Sequence, residues 1–269
     1  MSGRDFLEHG GSTSCVALAR DGEAPSLILD AGTGIRNLDK VLDGTPFRGA
    51  IALGHLHWDH TQGLPFFHAA DNDDAEVRLV MPAQGPAADV LRRMMSPPFF
   101  PIEPEDLRGQ WTFESLEPGI VELGGFTVTA RDIPHKGGRA FGYRVEDTTA
   151  KIAYLSDHSP TSLGTGNDGL GEMHDDAVEL CRGVDLLIHD SQHTSAELPE
   201  KAFLGHSSAA YAVTLAAAAG ASEVLLFHHD PQRTDREIDA LVDELAGGDV
   251  VVNAAREGTT IDLPRRGSP

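Results

Sequence analysis

Three imidazoles and one carboxylate fall within six residues of this chain: His55, His57, Asp59 and His60, in the order His-x-His-x-Asp-His. The apolar residues 49–53 lead into the cluster and read as a buried strand. Residues 61–69, leaving it, read as a helix. The four polar groups are therefore expected on the loop at a strand's carboxyl end, where α/β proteins usually place their chemistry. Imidazole with carboxylate suits zinc, iron or manganese. By alternation His55 and His57 can face one ion, while Asp59 and His60, beyond the turn, can face a second. A lone histidine would be read as satisfied by backbone hydrogen bonds. Four ligand-type residues at this spacing after a buried strand are read as metal-binding.

The chain has 269 residues, 40% of them apolar. That is ample for a buried core, and strands spread over the whole length imply one domain, residues 1–269. No apolar run is long enough to span a bilayer, so no membrane association is expected. Residues 1–9 are polar and charged and unlike a signal peptide, so the cytoplasm is the expected compartment. Two cysteines, Cys15 and Cys181, give no disulfide framework. The formal charge of −21 repels phosphate backbones and argues against a long nucleic acid as partner. A small or short anionic substrate remains compatible, because divalent cations reverse the local field.

In chain order, residues 15–20 and 26–29 read as a hairpin about Asp21-Gly22. The glycine-rich turn 30–34 lacks both the dinucleotide-binding spacing and the P-loop lysine. Asp30 there reads equally as a partner for a metal-bound histidine or as a helix cap. A helix over 35–41, a strand over 76–81 and a helix over 84–95 follow. Residues 96–102, rich in proline and aromatics, read as a lid or substrate wall, or as a stiffened connector. Strands are expected at 110–115, 119–123 and 126–132, the three antiparallel, then at 141–145, 151–155, 184–188, 223–227, 250–253 and 259–263. Helices are expected near 175–181, 205–219 and 235–245, and a frayed tail over 265–269. Apolar strands repeatedly end in His or Asp: His55 to His60, His135, Asp157, Asp190 and His228.

With these residues in hand, the chain resembles the metallo-β-lactamase superfamily. The resemblance rests on the His-x-His-x-Asp-His loop, the turn ending at Gly32, Pro134-His135, Leu155-Ser156-Asp157 and Phe227-His228. It implies an α/β fold, a four-layer αββα sandwich. Leu204-Gly205-His206-Ser207-Ser208 before an alanine-rich helix is similar to the ribonuclease Z and phosphodiesterase branch. By that resemblance His55, His57 and His135 hold one metal, Asp59, His60 and His228 hold the other, and Asp157 bridges them. His206 and Asp190 form an acid pair. The first residues depart from the family's opening strand and turn. No basic arm of the kind used to grip tRNA is evident.

The expected function is a dinuclear phosphodiesterase acting on a small or short diester through a metal-bound hydroxide. The two divalent ions are expected to be zinc, with manganese or iron as alternatives. Asp59 would ligate metal and orient the nucleophile, and His206 would serve the leaving alkoxide. The alternatives are a thioester, lactone or β-lactam hydrolase of the same fold, and a non-catalytic metal-stabilised sensing module. Redox di-iron chemistry is disfavoured by His57. His206 could instead be a plain helix-start residue, with Ser207 or Ser208 as cap. His158, His189 and His229 read as supporting residues, with His229 the rival of His228. Lys136 and Arg139 read either as phosphate ligands or as solvated charges. By resemblance the chain is compatible with a homodimer.

Overall fold

In the computed structural model, which describes residues 3–264, the chain groups into two units, Ser12–Phe126 and Met1–Gly11 with Thr127–Pro269. In the first, the hairpin expected at Asp21-Gly22 joins β1 (Val16–Leu18) to β2 (Leu27–Leu29), paired antiparallel. A 3-10 turn (Thr33–Asn37) and the short helix α1 (Leu38–Val41) replace the single helix expected over 35–41. Then come β3 (Arg48–Ala52), α2 (Trp58–Thr61), β4 (Glu76–Pro82), α3 (Ala87–Arg92), β5 (Gln110–Leu116) and β6 (Gly119–Leu123). The sheet order is β1-β2-β3-β4-β5, with β2 to β5 mutually parallel. Strand β5 pairs parallel with β4 at the end of this sheet order, where the sequence led one to expect it antiparallel with the two strands that follow it. The loop and 3-10 turn of residues 93–109 return the chain to the other end of the sheet.

In the second unit, β7 (Phe126–Ile133), β8 (Ala140–Glu146) and β9 (Lys151–Leu155) are antiparallel neighbours. After α4 (Asp175–Cys181) comes β10 (Leu186–Asp190). Then follow α5 (Leu198–Lys201), α6 (Ala209–Ala219), β11 (Glu223–Phe227), α7 (Asp235–Leu245) and β12 (Val251–Ala254). Strands β9, β10, β11 and β12 run parallel. Helix α6 is capped at one end by the Ser208 hydroxyl, which accepts the Tyr211 N–H at 3.2 Å, and closes at Gly220 with φ of 70°. Thr234 and Glu237 form a reciprocal capping box on α7. No strand forms over 259–263, where the side chains are largely exposed and bury no face. The tail expected over 265–269 lies outside the described residues.

Each unit has its own apolar core. Ile28, Ile51, Leu53, Phe67 and Leu79 centre the first, and Leu155, Leu187, Leu215, Val224 and Leu226 the second. Each fully buried aliphatic side chain contributes roughly 1.5–3 kcal/mol, which fixes strand register and with it the residues at the strand ends. Among the described residues no helix is long and apolar enough to cross a membrane.

Candidate metal centre

The His-x-His-x-Asp-His segment is held from below by the turn after β2. Asp30 takes φ of 62°, a left-handed conformation tolerated best by Gly, Asn and Asp. Its Oδ1 accepts the Gly54 N–H at 2.6 Å, and its Oδ2 lies 2.7 Å from His60 Nδ1. Both side chains are fully buried. Of the two roles open to Asp30, the structure shows the histidine partner and not the cap. With Nδ1 engaged, His60 presents Nε2, the arrangement by which a carboxylate fixes a metal-ligating imidazole. The Ala31 N–H donates to the His60 carbonyl at 2.8 Å. Gly32 is required there, because a Cβ would stand 2.2 Å from the Asp59 carbonyl oxygen.

The expected helix over 61–69 is displaced. Helix α2 begins at Trp58, with His57 as its extended N-cap, and ends at Thr61. Asp59 and His60 therefore sit on a helical turn and not on an open loop. The Thr61 hydroxyl donates to the His57 carbonyl at 2.9 Å and tightens that turn. The rings of His55 and His57 have centroids 4.4 Å apart, and those of His55 and His60 4.1 Å. His60 Nε2 is 3.5 Å from Asp59 Oδ2. All four predicted donors of this segment are thus gathered within the first unit.

In the second unit, register does the gathering. Parallel pairing sets Leu155 beside His189 and Asp190 beside Phe227, so Asp157, Asp190 and His228 emerge at one sheet edge. Two antiparallel pairings, β7 with β8 and β8 with β9, bring the end of β7 and His135 to that edge too. His135 Nδ1–H donates to the Gly205 carbonyl at 2.8 Å, and its Nε2 lies 3.5 Å from Asp157 Oδ2. His228 adopts φ of 55° and places Nε2 3.4 Å from Asp157 Oδ1. His206 Nδ1 is 2.9 Å from Asp190 Oδ2 and 3.6 Å from Asp157 Oδ2. Donor atoms of Asp157, His206 and His228 lie within 4.8 Å of one another. Buried carboxylate and imidazole groups this close make a donor set of the kind that divalent ions take.

Charge is tuned accordingly. Burial pulls the His206 pKa down, but the Asp190 carboxylate outweighs it and holds the group above its ordinary value. Burial pushes the Asp190 carboxyl up, and His206, with a smaller pull from His228, brings it below the usual carboxylate range. Burial holds His135 below its ordinary value, the Asp157 charge opposing it.

The sequence profile described as the beta-lactamase superfamily domain matches residues 26–229. The chain belongs to that family. It is 24% identical over 302 aligned positions to ribonuclease Z of Natronomonas pharaonis, covering 94% of this chain and 92% of the relative. The fold matches the metallo-β-lactamase fold protein YhfI of Bacillus subtilis with a TM-score of 0.69 and 18% identity, over 92% of this chain and 91% of that one. It also matches zinc-bound PqqB of Methylobacterium extorquens with a TM-score of 0.64 and 18% identity, over 93% and 87% of the two chains. This superfamily member is a metallo-β-lactamase-fold hydrolase, similar to ribonuclease Z in sequence, with His/Asp clusters suited to metal.

In this β-lactamase superfamily chain, His228 faces Asp157, while His229 turns to His9, ring centroids 5.7 Å apart. Burial, with His9 nearby, pushes the His229 pKa down to about 3. The side chains of Lys136 and Arg139 are engaged within the protein. Lys136 Nζ donates to the Phe203 carbonyl at 2.7 Å, and Arg139 grips Asp132 at 2.6 and 3.0 Å. Two supports lie beneath the metal-site donors, the first unforeseen in the sequence and the second built from His158 and His189, which read there as supporting residues, though their mutual contact did not show. One is the Gly205 carbonyl under His135; Gly205 has φ of 92°, and a Cβ there would meet the Lys136 side chain at 2.5 Å. The other is a buried relay in which His158 Nδ1 meets His189 Nε2 at 3.0 Å and His189 Nδ1–H donates to the Asp190 carbonyl at 2.7 Å. The His158 backbone N–H also donates to Asp190 Oδ2 at 3.0 Å. The adjacency of His158 to Asp157 and of His189 to Asp190 was the available signal.

Proposed function

We propose that this chain is a dinuclear metal-dependent phosphodiesterase acting on a small or short diester. In this reading His55, His57 and His135 hold one ion, Asp59, His60 and His228 hold the second, and Asp157 is shared. The donor chemistry supports it: His60 and His135 each have Nδ1 committed to a protein oxygen, which leaves Nε2 as the ligand atom. Zinc is the proposed metal, by analogy with zinc-bound PqqB. When bound, such ions polarise a phosphoryl oxygen and acidify water.

The observation that carries the phosphodiester reading is the Asp190–His206 pair, at 2.9 Å, beside Asp157 and His228. Asp190 fixes the proton on His206 Nδ1 and favours a second proton on Nε2. The Nε2 proton is the one available to a departing alkoxide. Asp59, at the metal-binding turn, would orient the attacking water. A net charge of −21 opposes a long polyanion and supports a compact substrate.

The test is metal analysis of the purified chain followed by assay of the metal-loaded protein on phosphodiesters, thioesters and lactones. Diester turnover is expected, lost in Asp59→Ala. His206→Ala should lower kcat by about 10²–10⁴-fold while retaining bound metal. Thioester or lactone turnover that survives His206→Ala, with no diester cleavage, would reject the reading.

A further inference from the structure

Trp58 stands in sequence between His57 and Asp59, yet its side chain is 75% exposed. It forms one wall of a cavity of about 390 Å3 within the first unit. Phe66, Phe99 and Phe100 line the same cavity, with Phe66 and Phe100 edge to face at 5.9 Å. Phe99 is 81% exposed. Leu91 and Met95, both buried, also line it. Exposed aromatics grouped around a cavity are a feature proteins keep for binding.

Arg93 lines this cavity and is exposed. Among the described residues no carboxylate pairs with it. Its neighbour Arg92, by contrast, is bound to Asp89, Glu103 and Glu105. In a chain with 42 acidic and 21 basic residues, an arginine left unpaired on an apolar slot is complementary to an anionic ligand.

We infer that this slot binds the flat aromatic group, a nucleobase or an aryl ring, of the phosphodiester whose phosphate lies at the His/Asp centre. The inference rests on the phosphodiesterase reading and adds to it the substrate class. The lining supports it: Trp58 and Thr61 of the cavity belong to the same helical turn as Asp59 and His60, and Gln62 follows directly. The cavity falls in the size range of small-ligand sites, roughly 300–1,000 Å3, which fits one ring system with its sugar or linker. Aromatic faces accept any flat ring, and a guanidinium adds attraction for a second anionic group.

The experiment compares kcat/KM of the metal-loaded 269-residue chain on matched diesters carrying a nucleoside, a nitrophenyl or only small alkyl groups. Trp58→Ala, Phe99→Ala and Arg93→Ala are compared with the unaltered chain, and sedimentation is run on each. The unaltered chain should prefer the aromatic diesters. In Trp58→Ala and Phe99→Ala that preference should fall about tenfold or more, chiefly through KM. The nucleoside and nitrophenyl arms distinguish a nucleobase from an aryl ring as the natural group. Equal turnover of aromatic and alkyl diesters, or a preference that survives both variants, overturns the slot and leaves the phosphodiesterase reading standing. A shift from dimer to monomer in Trp58→Ala with the preference unchanged also overturns it, and gives the face to a second copy of the chain. Absence of all diester turnover removes both. Retained thermal melting in Phe99→Ala, altered at an 81% exposed position, guards against misfolding as the cause.

Discussion

Asp30 Oδ2 lies 2.7 Å from His60 Nδ1, and both side chains are fully buried. The pair joins the end of β2 to the helical turn that follows β3, so one hydrogen bond couples sheet packing to the aim of a metal-binding imidazole. The strained φ of Asp30 belongs to the same device. Among the described residues the non-glycine positions with positive φ are Asp30, Asp43 and His228, two of them beside proposed ligands or serving as one.

Asp30→Asn isolates this coupling. Asparagine tolerates the left-handed backbone, so the fold should survive. It has only one side-chain oxygen, and Asp30 now accepts from both the Gly54 N–H and His60. One donor then faces an amide NH2, and His60 is driven towards the tautomer that blocks Nε2. Metal affinity is expected to fall about 10–100-fold, measured by competition with a chromogenic chelator. Unchanged affinity would show that Asp30 serves only packing.

Asp190→Asn tests the acid pair through pH. Asp190 holds His206 above its ordinary pKa against the opposing effect of burial. A rate that needs protonated His206 falls as pH rises through that raised value. With the carboxylate charge removed, burial dominates and the pKa drops. The alkaline limb of the kcat profile on a diester should therefore move to lower pH, with kcat reduced at neutral pH. A profile that only scales down, without moving, would assign Asp190 a structural part alone.

Much of this was legible in the chain because chemistry and secondary structure share boundaries. His135, Asp157, Asp190 and His228 could be read as strand-end residues since apolar runs stop just before or at them. The donor spacing of residues 55–60 was explicit. What stayed hidden depends on backbone geometry that side-chain pattern does not encode. Helix α2 starts at Trp58 because His57 is extended and the turn is tied by Thr61 to the His57 carbonyl. Parallel β5 could not be distinguished from an antiparallel strand by alternation, since both have the same period. The His158–His189 contact joins residues 31 apart and depends on the register of β9 with β10.

Gly63→Ala should destabilise the first unit without touching a donor. Gly63 has an ordinary φ of −78°, so the cost is contact and not backbone strain. A Cβ there would lie 2.0 Å from the Gly32 carbonyl oxygen, in the turn that supports Asp59. Relief requires the β2 turn and the segment after α2 to separate. A loss of about 1–3 kcal/mol is expected from urea unfolding. Gly248→Ala, with nothing within 4 Å of its Cβ, is the matched control and should be close to neutral.

Glu197 supplies a pH-dependent brace in the second unit, on the segment that follows β10. Its Oε2 accepts the Thr194 N–H at 2.8 Å and an Arg233 N–H at 2.6 Å, and Arg233 also donates to the Gln192 carbonyl at 3.1 Å. Burial pushes this carboxyl up, but the Thr194 hydrogen bond and Arg233 outweigh it and hold the pKa at about 2. The unfolded carboxyl titrates at about 4.3. A depressed folded value means the stabilisation is complete above the unfolded pKa and is lost as pH falls from there towards 2. Glu197→Gln should lower the melting temperature at pH 7, with the gap narrowing below pH ~4.3. Because Glu197 is 32% exposed, solvent screening limits the effect to about 1 kcal/mol. A gap that stays constant from pH 7 to pH 3 would show that shape at this position matters, and charge does not.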